Sequence, residues 1–163
     1  MQLLLVRHGR AEEREKGKKD EARELTEDGQ QRLRKEMKKL ARVLPKLDMI
    51  ATSPLVRATQ TAMIMSKACD KAKVIKLPAL APKGTEEAVL AWLKRQPADA
   101  TIALVGHEPN MGALAAYLTI GVNEAFFEFK KGGVCCIEFD PSSAAGGGEL
   151  QWVMQPKQIR KLK

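Results

Sequence analysis

Short, nearly unbroken apolar runs that alternate with helical patterns constrain this chain more than any other feature. Gln2–Val6 and Thr101–Val105 lack the apolar–polar alternation of a half-exposed strand, so both of their faces must be covered. Asp48–Thr52 and Lys73–Leu77 are further strand candidates. Helical patterns lie between them. Thr26–Leu44 carries Leu33, Met37, Leu40 and Leu44 at helical spacing, with Thr26 or Asp28 to cap it and Pro45 to end it. A second helix is predicted to run from a Ser53 cap and Pro54 to Ala68. A third starts at Thr85 and ends near Pro97, and a fourth runs from Pro109 to about Leu118. This alternation predicts a three-layer α/β/α sandwich around a mainly parallel mixed sheet. Ligands of such sheets bind outside the carboxyl ends of the strands.

The last third changes character. Ala125–Phe129, Val134–Phe139 and Leu150–Met154 read as strands joined by glycine-rich turns. Gly146–Gly148 lacks the Lys and Ser/Thr of a phosphate loop and sits between strands, so it reads as a hairpin connection. At 163 residues the chain fits one domain, read here as residues 1–156, followed by a basic, exposed tail, Lys157–Lys163.

Composition narrows the function classes. The net charge of +8 suits an acidic partner such as a phosphate ester, a phosphoprotein or a nucleic acid. Aromatics at 4% are too few for a single-strand stacking platform. Cys69, Cys135 and Cys136 are odd in number, two of them adjacent, which is neither a disulfide framework nor zinc spacing. The apolar run at Leu3–Val6 is too short for a signal-peptide core, and no run is long enough for a membrane span. The expectation is a cytoplasmic protein without membrane partners.

Chemistry is expected at two strand ends. The chain has two histidines, His8 and His107, each just past a predicted buried strand. If those strands are parallel neighbours, both imidazoles enter one crevice. With no third His and no well-placed Cys, a metal or other cofactor is not expected. Arg7 precedes His8, and Arg57 lies one turn into the second helix, where its side chain leans back over the strand end. Guanidinium forks and helix N-termini both suit phosphate oxygens. Gly9 lets the backbone pass close to a ligand. A neutral imidazole could attack phosphorus while the cations stabilise the transferring group. Each residue also has an ordinary structural explanation, and the residues alone leave the two readings level.

The motifs go further. Leu5-Val6-Arg7-His8-Gly9, the block Ser53-Pro54-Leu55-Val56-Arg57-Ala58-Thr59-Gln60-Thr61-Ala62, and Val105-Gly106-His107-Glu108-Pro109 together resemble the histidine phosphatase (phosphoglycerate mutase-like) superfamily. Leu25-Thr26-Glu27-Asp28-Gly29 extends the pattern. In its short length the chain is most similar to the SixA-type phosphohistidine phosphatases. The resemblance implies that His8 is the phosphorylated nucleophile and that Arg7, Arg57 and His107 bind and polarise the phosphoryl group, and Gly9 is expected with them as a phosphate-binding position. It implies a phosphohistidine on a signalling or phosphotransfer protein as substrate.

Two departures bear on the substrate. Many members of the superfamily carry a carboxylate general acid after the second block, where this chain has Pro78-Ala79-Leu80-Ala81. Glu86 and Glu87 read as first-turn helix residues. Without an acid an alkoxide is a poor leaving group, whereas imidazole leaves easily. Arg10 follows the first block where an acidic residue is common. No lid insertion fits between Arg57 and His107, so the site should be shallow and open. The alternatives are a phosphatase for small phosphate esters, and a phosphoprotein- or nucleic-acid-binding module built on the basic stretches around Arg32–Arg42 and Lys157–Lys163. For those stretches a solvated face is the preferred reading. Oligomeric state is not set by the sequence.

Overall fold

The computed structural model describes all 163 residues. Six strands form one sheet: β1 (Gln2–Arg7), β2 (Met49–Thr52), β3 (Lys73–Lys76), β4 (Thr101–Gly106), β5 (Val134–Glu138) and β6 (Glu149–Met154), in the order β3-β2-β4-β1-β5-β6. The first four positions are mutually parallel, and β5 and β6 are antiparallel additions. The helices are α1 (Glu27–Leu40), α2 (Val56–Ala68), α3 (Glu86–Leu93), α4 (Asn110–Ile120) and α5 (Pro156–Ile159).

The unbroken apolar runs are the central strands. Every residue of β4 is buried, as are Leu3–Val6 of β1. Alternate side chains feed two cores, as the two-residue period of a strand requires. Leu3 and Leu5 pack with α3 and α4, including Leu93, Met111 and Leu118. Leu4 and Val6 pack with α1 and α2, including Leu33, Met37, Ala58 and Met65. This is the expected α/β/α arrangement.

Local expectations hold in part. Thr26 caps α1 by accepting from the Gly29 amide at 3.0 Å, and Thr85 caps α3 through Ala88 at 3.2 Å. Helix α1 stops at Leu40 rather than Leu44, because Arg42 and Val43 close tighter bonds to Lys39 and Leu40. Helix α2 starts at Val56, not at a Ser53 cap. The Ser53 amide instead extends the sheet by bonding Val105 O at 2.9 Å. Helix α4 ends at Gly121, whose φ of +76° suits glycine.

Two expectations are corrected. Ala125–Phe129 is not a strand. Its backbone groups are taken by side chains, with Phe129 N–H donating to Glu108 at 2.9 Å and Phe129 C=O accepting from Arg7. The terminal Lys157–Lys163 is not a free tail. Ile159 is wholly buried in the α1–α2 core, Arg160 pairs with buried Glu36 at 2.6 Å, and Lys39 donates to Arg160 O and Leu162 O. One buried isoleucine anchors an otherwise basic segment. No helix is long and apolar enough to cross a membrane.

Candidate active site

Strands β1 and β4 are parallel neighbours with Arg7 opposite Gly106, so His8 and His107 leave the same sheet edge side by side. Their ring centroids lie 5.1 Å apart. Strand β2, beside β4, delivers Ser53 to the same edge. Chain direction diverges here. The connection from β1 passes over β4 to reach β2, and α3 later returns the chain between them. Crevices of α/β sheets arise at such points.

The ring of His8 has defined roles for its two nitrogens. Nδ1 faces Gly9 C=O at 2.7 Å, and because a carbonyl only accepts, Nδ1 carries the proton. Nε2 is left with a lone pair, which accepts from Arg57 Nε at 3.2 Å. Burial, reinforced by His107, Arg57 and Arg7 and opposed by the Gly9 bond, lowers the His8 pKa to about 3. His107 is lowered to about 4, by burial first and then by Arg57. Both rings are therefore neutral near pH 7, and His8 presents an unprotonated nitrogen.

Arg57 is held on its other edge. Its two terminal nitrogens donate to Asp20 C=O at 2.8 Å and to the Asp20 carboxylate at 3.0 Å. Asp20 also accepts from Arg23 and Arg14. Burial opposes its charge, but Arg57 and Arg23 outweigh that and hold its pKa below the ordinary carboxylate value. The strap carrying it, residues 11–25, is tied down by a bridge between Ala11 and Leu25 and contains a 3₁₀ turn, Asp20–Ala22. No lid lies between Arg57 and His107, as expected, but this strap covers the site from the other side. His8 is 7% and His107 3% exposed, so the crevice is more enclosed than the sequence suggested.

Arg7 donates to Phe129 C=O and lies 3.6 Å from the Glu128 carboxylate. Glu108 accepts from the amides of Phe129 and Gly112. Burial raises its pKa against those two bonds. Gly9 is a different case from the one expected. Its amide is committed to Thr61 Oγ1 at 3.0 Å, and an added Cβ would sit 3.2 Å from Leu33 Cδ2, so glycine here serves packing against α1. The helix N-termini begin later than expected, at Val56 and Asn110.

Two buried side-chain polar atoms in the molecule have no partner: Arg7 Nε and His107 Nδ1. Buried polar groups are normally satisfied, so such atoms call for an explanation. Both belong to this crevice. Arg7 Nε is a donor, and His107 Nδ1 becomes one in the tautomer whose Nε2 accepts from the Ser53 hydroxyl; with Arg57 these are the donor types that suit a tetrahedral oxyanion.

Sequence reasoning missed four supporting residues. Ser53 was expected as a cap, but its Oγ lies 2.7 Å from His107 Nε2. Thr61 bridges Gly9 N–H and Arg57 C=O, and its position one turn beyond Arg57 was the available signal. Glu108 stands beside His107 in the third motif, with nothing local to show that its carboxylate holds the Phe129 and Gly112 amides. Asp20 lay in a charged stretch with no periodicity to mark it.

Comparison with known proteins adds an independent line. The model of the histidine phosphatase superfamily (branch 1) matches residues 3–82. An uncharacterised protein of Picosynechococcus sp. is 37% identical over 136 residues, 82% of each chain. Among solved structures, the protein histidine phosphatase SixA complexed with tungstate is 27% identical, with a TM-score of 0.85 over 98% of this chain and 99% of that one. A Nakamurella multipartitia protein assigned as phosphohistidine phosphatase SixA is 26% identical, with a TM-score of 0.78 over 95% of both chains. A mycobacterial glucosyl-3-phosphoglycerate phosphatase is 18% identical, with a TM-score of 0.67 over 92% of this chain and 96% of that one, a likeness of fold.

Proposed function

The chain belongs to the histidine phosphatase superfamily and is a phosphatase of that family; from this premise we propose that it hydrolyses phosphohistidine on a signalling or phosphotransfer protein, through a phosphorylated His8. The observation that carries the reading is the pair of unpartnered buried nitrogens, Arg7 Nε and His107 Nδ1, on the residue before His8 and on the histidine ring facing it. A phosphoryl group seated among them gives both atoms their missing bonds. Tungstate in the SixA structure is likewise a tetrahedral oxyanion.

The steps follow from the groups present. The His8 Nε2 lone pair displaces the Arg57 hydrogen bond and attacks phosphorus as the bond to the substrate nitrogen breaks. A substrate ring protonated at its other nitrogen departs as neutral imidazole and needs no acid from the enzyme. Arg7, Arg57 and His107 stabilise the equatorial oxygens of the transferring group. The intermediate is an imidazolium, with its Nδ1 proton held by Gly9 C=O. Water then attacks phosphorus, the P–Nε2 bond breaks with its electron pair returning to His8, and inorganic phosphate leaves.

The carboxylates support this substrate over an ester. Asp20 is held ionised by Arg57 and Arg23, and the Glu108 carboxylate is occupied by two amides. Asp20 therefore has no proton to give an alkoxide, and both oxygens of Glu108 are engaged by backbone amides. The test is phosphate release, without added metal, from a phosphohistidine peptide and from p-nitrophenyl phosphate, with His8→Ala alongside. The reading expects faster release from phosphohistidine and none from His8→Ala. Faster ester hydrolysis would assign a small-ester phosphatase instead.

A further inference from the structure

Helices α1 and α2 pack side by side but leave between them a groove of about 360 Å³. Its floor is apolar, formed by Met63, Ile64 and Ala68 of α2. Met63 is 46% exposed, high for a thioether that could have been buried. The rims are cationic: Arg34 and Lys38, one turn apart on α1, face Lys67 on α2. None of the three pairs with a carboxylate, and Arg34 bonds only to Gln30, at 3.0 Å. No Asp or Glu lines the groove.

The groove begins one turn along α2 from the candidate active site. Gln60, at its head, is one turn beyond Arg57, and its side chain accepts from Leu25 N–H at 2.7 Å, at the foot of the Asp20 strap. From Gln60 to Ala68 the helix rises about 12 Å, room for roughly two turns of a second helix laid alongside. An apolar floor between cationic rims complements one kind of surface: an apolar helical stripe flanked by carboxylates. Anionic lipid shares the charge, but the cationic rims flank a recessed apolar floor between two helices rather than a flat face.

We propose that the α1–α2 groove is the docking site for an acidic amphipathic helix of the phosphorylated protein substrate, which it holds while the phosphohistidine enters the crevice beside Arg57. The proposal rests on the protein-substrate reading above and adds where the recognition energy comes from. Charge opposite charge across such a contact governs encounter rate and partner choice more than chemistry. The groove should therefore affect KM for a protein and leave turnover of a small phosphoramidate untouched.

Binding tests the groove apart from activity. A labelled helical peptide with a leucine stripe flanked by glutamates, the same peptide with lysines for glutamates, and phosphatidylglycerol vesicles are titrated against the wild-type chain. Arg34→Glu/Lys38→Glu/Lys67→Glu and Met63→Asp are compared with it, and Lys157→Glu/Lys161→Glu, beyond the far side of α1, serves as the charge control. The expected result is binding of the acidic peptide only, with movement of the Met63 methyl resonance. Kd rises about tenfold or more in the triple variant and in Met63→Asp, and stays unchanged in the control. Equal loss in the control, an unmoved Met63 signal, or vesicle binding in place of peptide binding overturns the proposal. Hydrolysis of phosphohistidine on a peptide and as the free amino acid is measured on the same variants. Failure of both substrates with wild type would refute the proposed function while the binding result still judged the groove.

Discussion

Lowering the pH from 7 to 5 should destabilise this protein through its two histidines, by an amount the site itself sets. In the unfolded chain each imidazole titrates near 6.5, but in the folded crevice His8 is lowered to about 3 and His107 to about 4, with burial the largest cause for both. Above pH 6.5 both rings are neutral in either state and cost nothing. Below it the unfolded chain takes up protons that the native chain refuses, so stability falls with pH until the folded pKa values are reached. Integrating this linkage from pH 7 to 5 gives about 2 kcal/mol lost per histidine, about 4 kcal/mol for the pair. Buried Glu36 and Glu108, whose pKa values burial raises, act in the opposite sense because they bind protons more readily when folded. They are common to wild type and variants and cancel in a difference. Urea unfolding of wild type, His8→Gln and His107→Gln at pH 7, 6 and 5 measures that difference. Each variant should lose about 2 kcal/mol less than wild type across the interval. Parallel curves would refute the reasoning, because they would mean that the crevice admits protons and that His8 is no better supplied with a lone pair than a surface imidazole.

Other perturbations separate the site from its support. Arg57→Lys keeps the charge but loses the Nε bond to His8 and the planar fork on Asp20, so kcat/KM should fall about 10²–10³-fold, with about 1–3 kcal/mol lost in urea unfolding. Gly29→Ala would place a Cβ 2.4 Å from Arg10 C=O, and should cost about 1–3 kcal/mol in urea unfolding and lower activity as it displaces the loop after His8. Ile159→Asp should destabilise by about 2–4 kcal/mol, an outcome that a free C-terminal tail would not produce.

The parallel core was legible because its signal is strong and local. Runs such as Thr101–Val105 cannot be half exposed, and the residues just past each are placed at a sheet edge whatever the loops do. This alone predicts His8 and His107 at one sheet edge, and the structure places their ring centroids 5.1 Å apart. What escaped depends on tertiary partners. Ala125–Phe129 has a strand's composition, but its amide and carbonyl groups bond Glu108 and Arg7 instead of a neighbouring strand. Ser53 has a cap's composition, but His107 competes for its hydroxyl. Lys157–Lys163 is basic enough to look solvated, yet buried Ile159, the Arg160–Glu36 pair and the Lys39 bonds fold it back. Asp20 lies 37 residues from Arg57 in a stretch without periodicity, and only the folded strap shows that it braces that arginine.

The proposed reaction passes through a phosphorylated His8, and trapping that species tests it most directly. The enzyme is mixed with a ³²P-phosphohistidine peptide, quenched at successive times in alkali, where phosphohistidine survives, and the label is mapped by digestion. The account predicts label on His8 that appears and decays within a single turnover, and none in His8→Ala. Hydrolysis that proceeds at the wild-type rate with no label on His8, or with label on another residue, would contradict it.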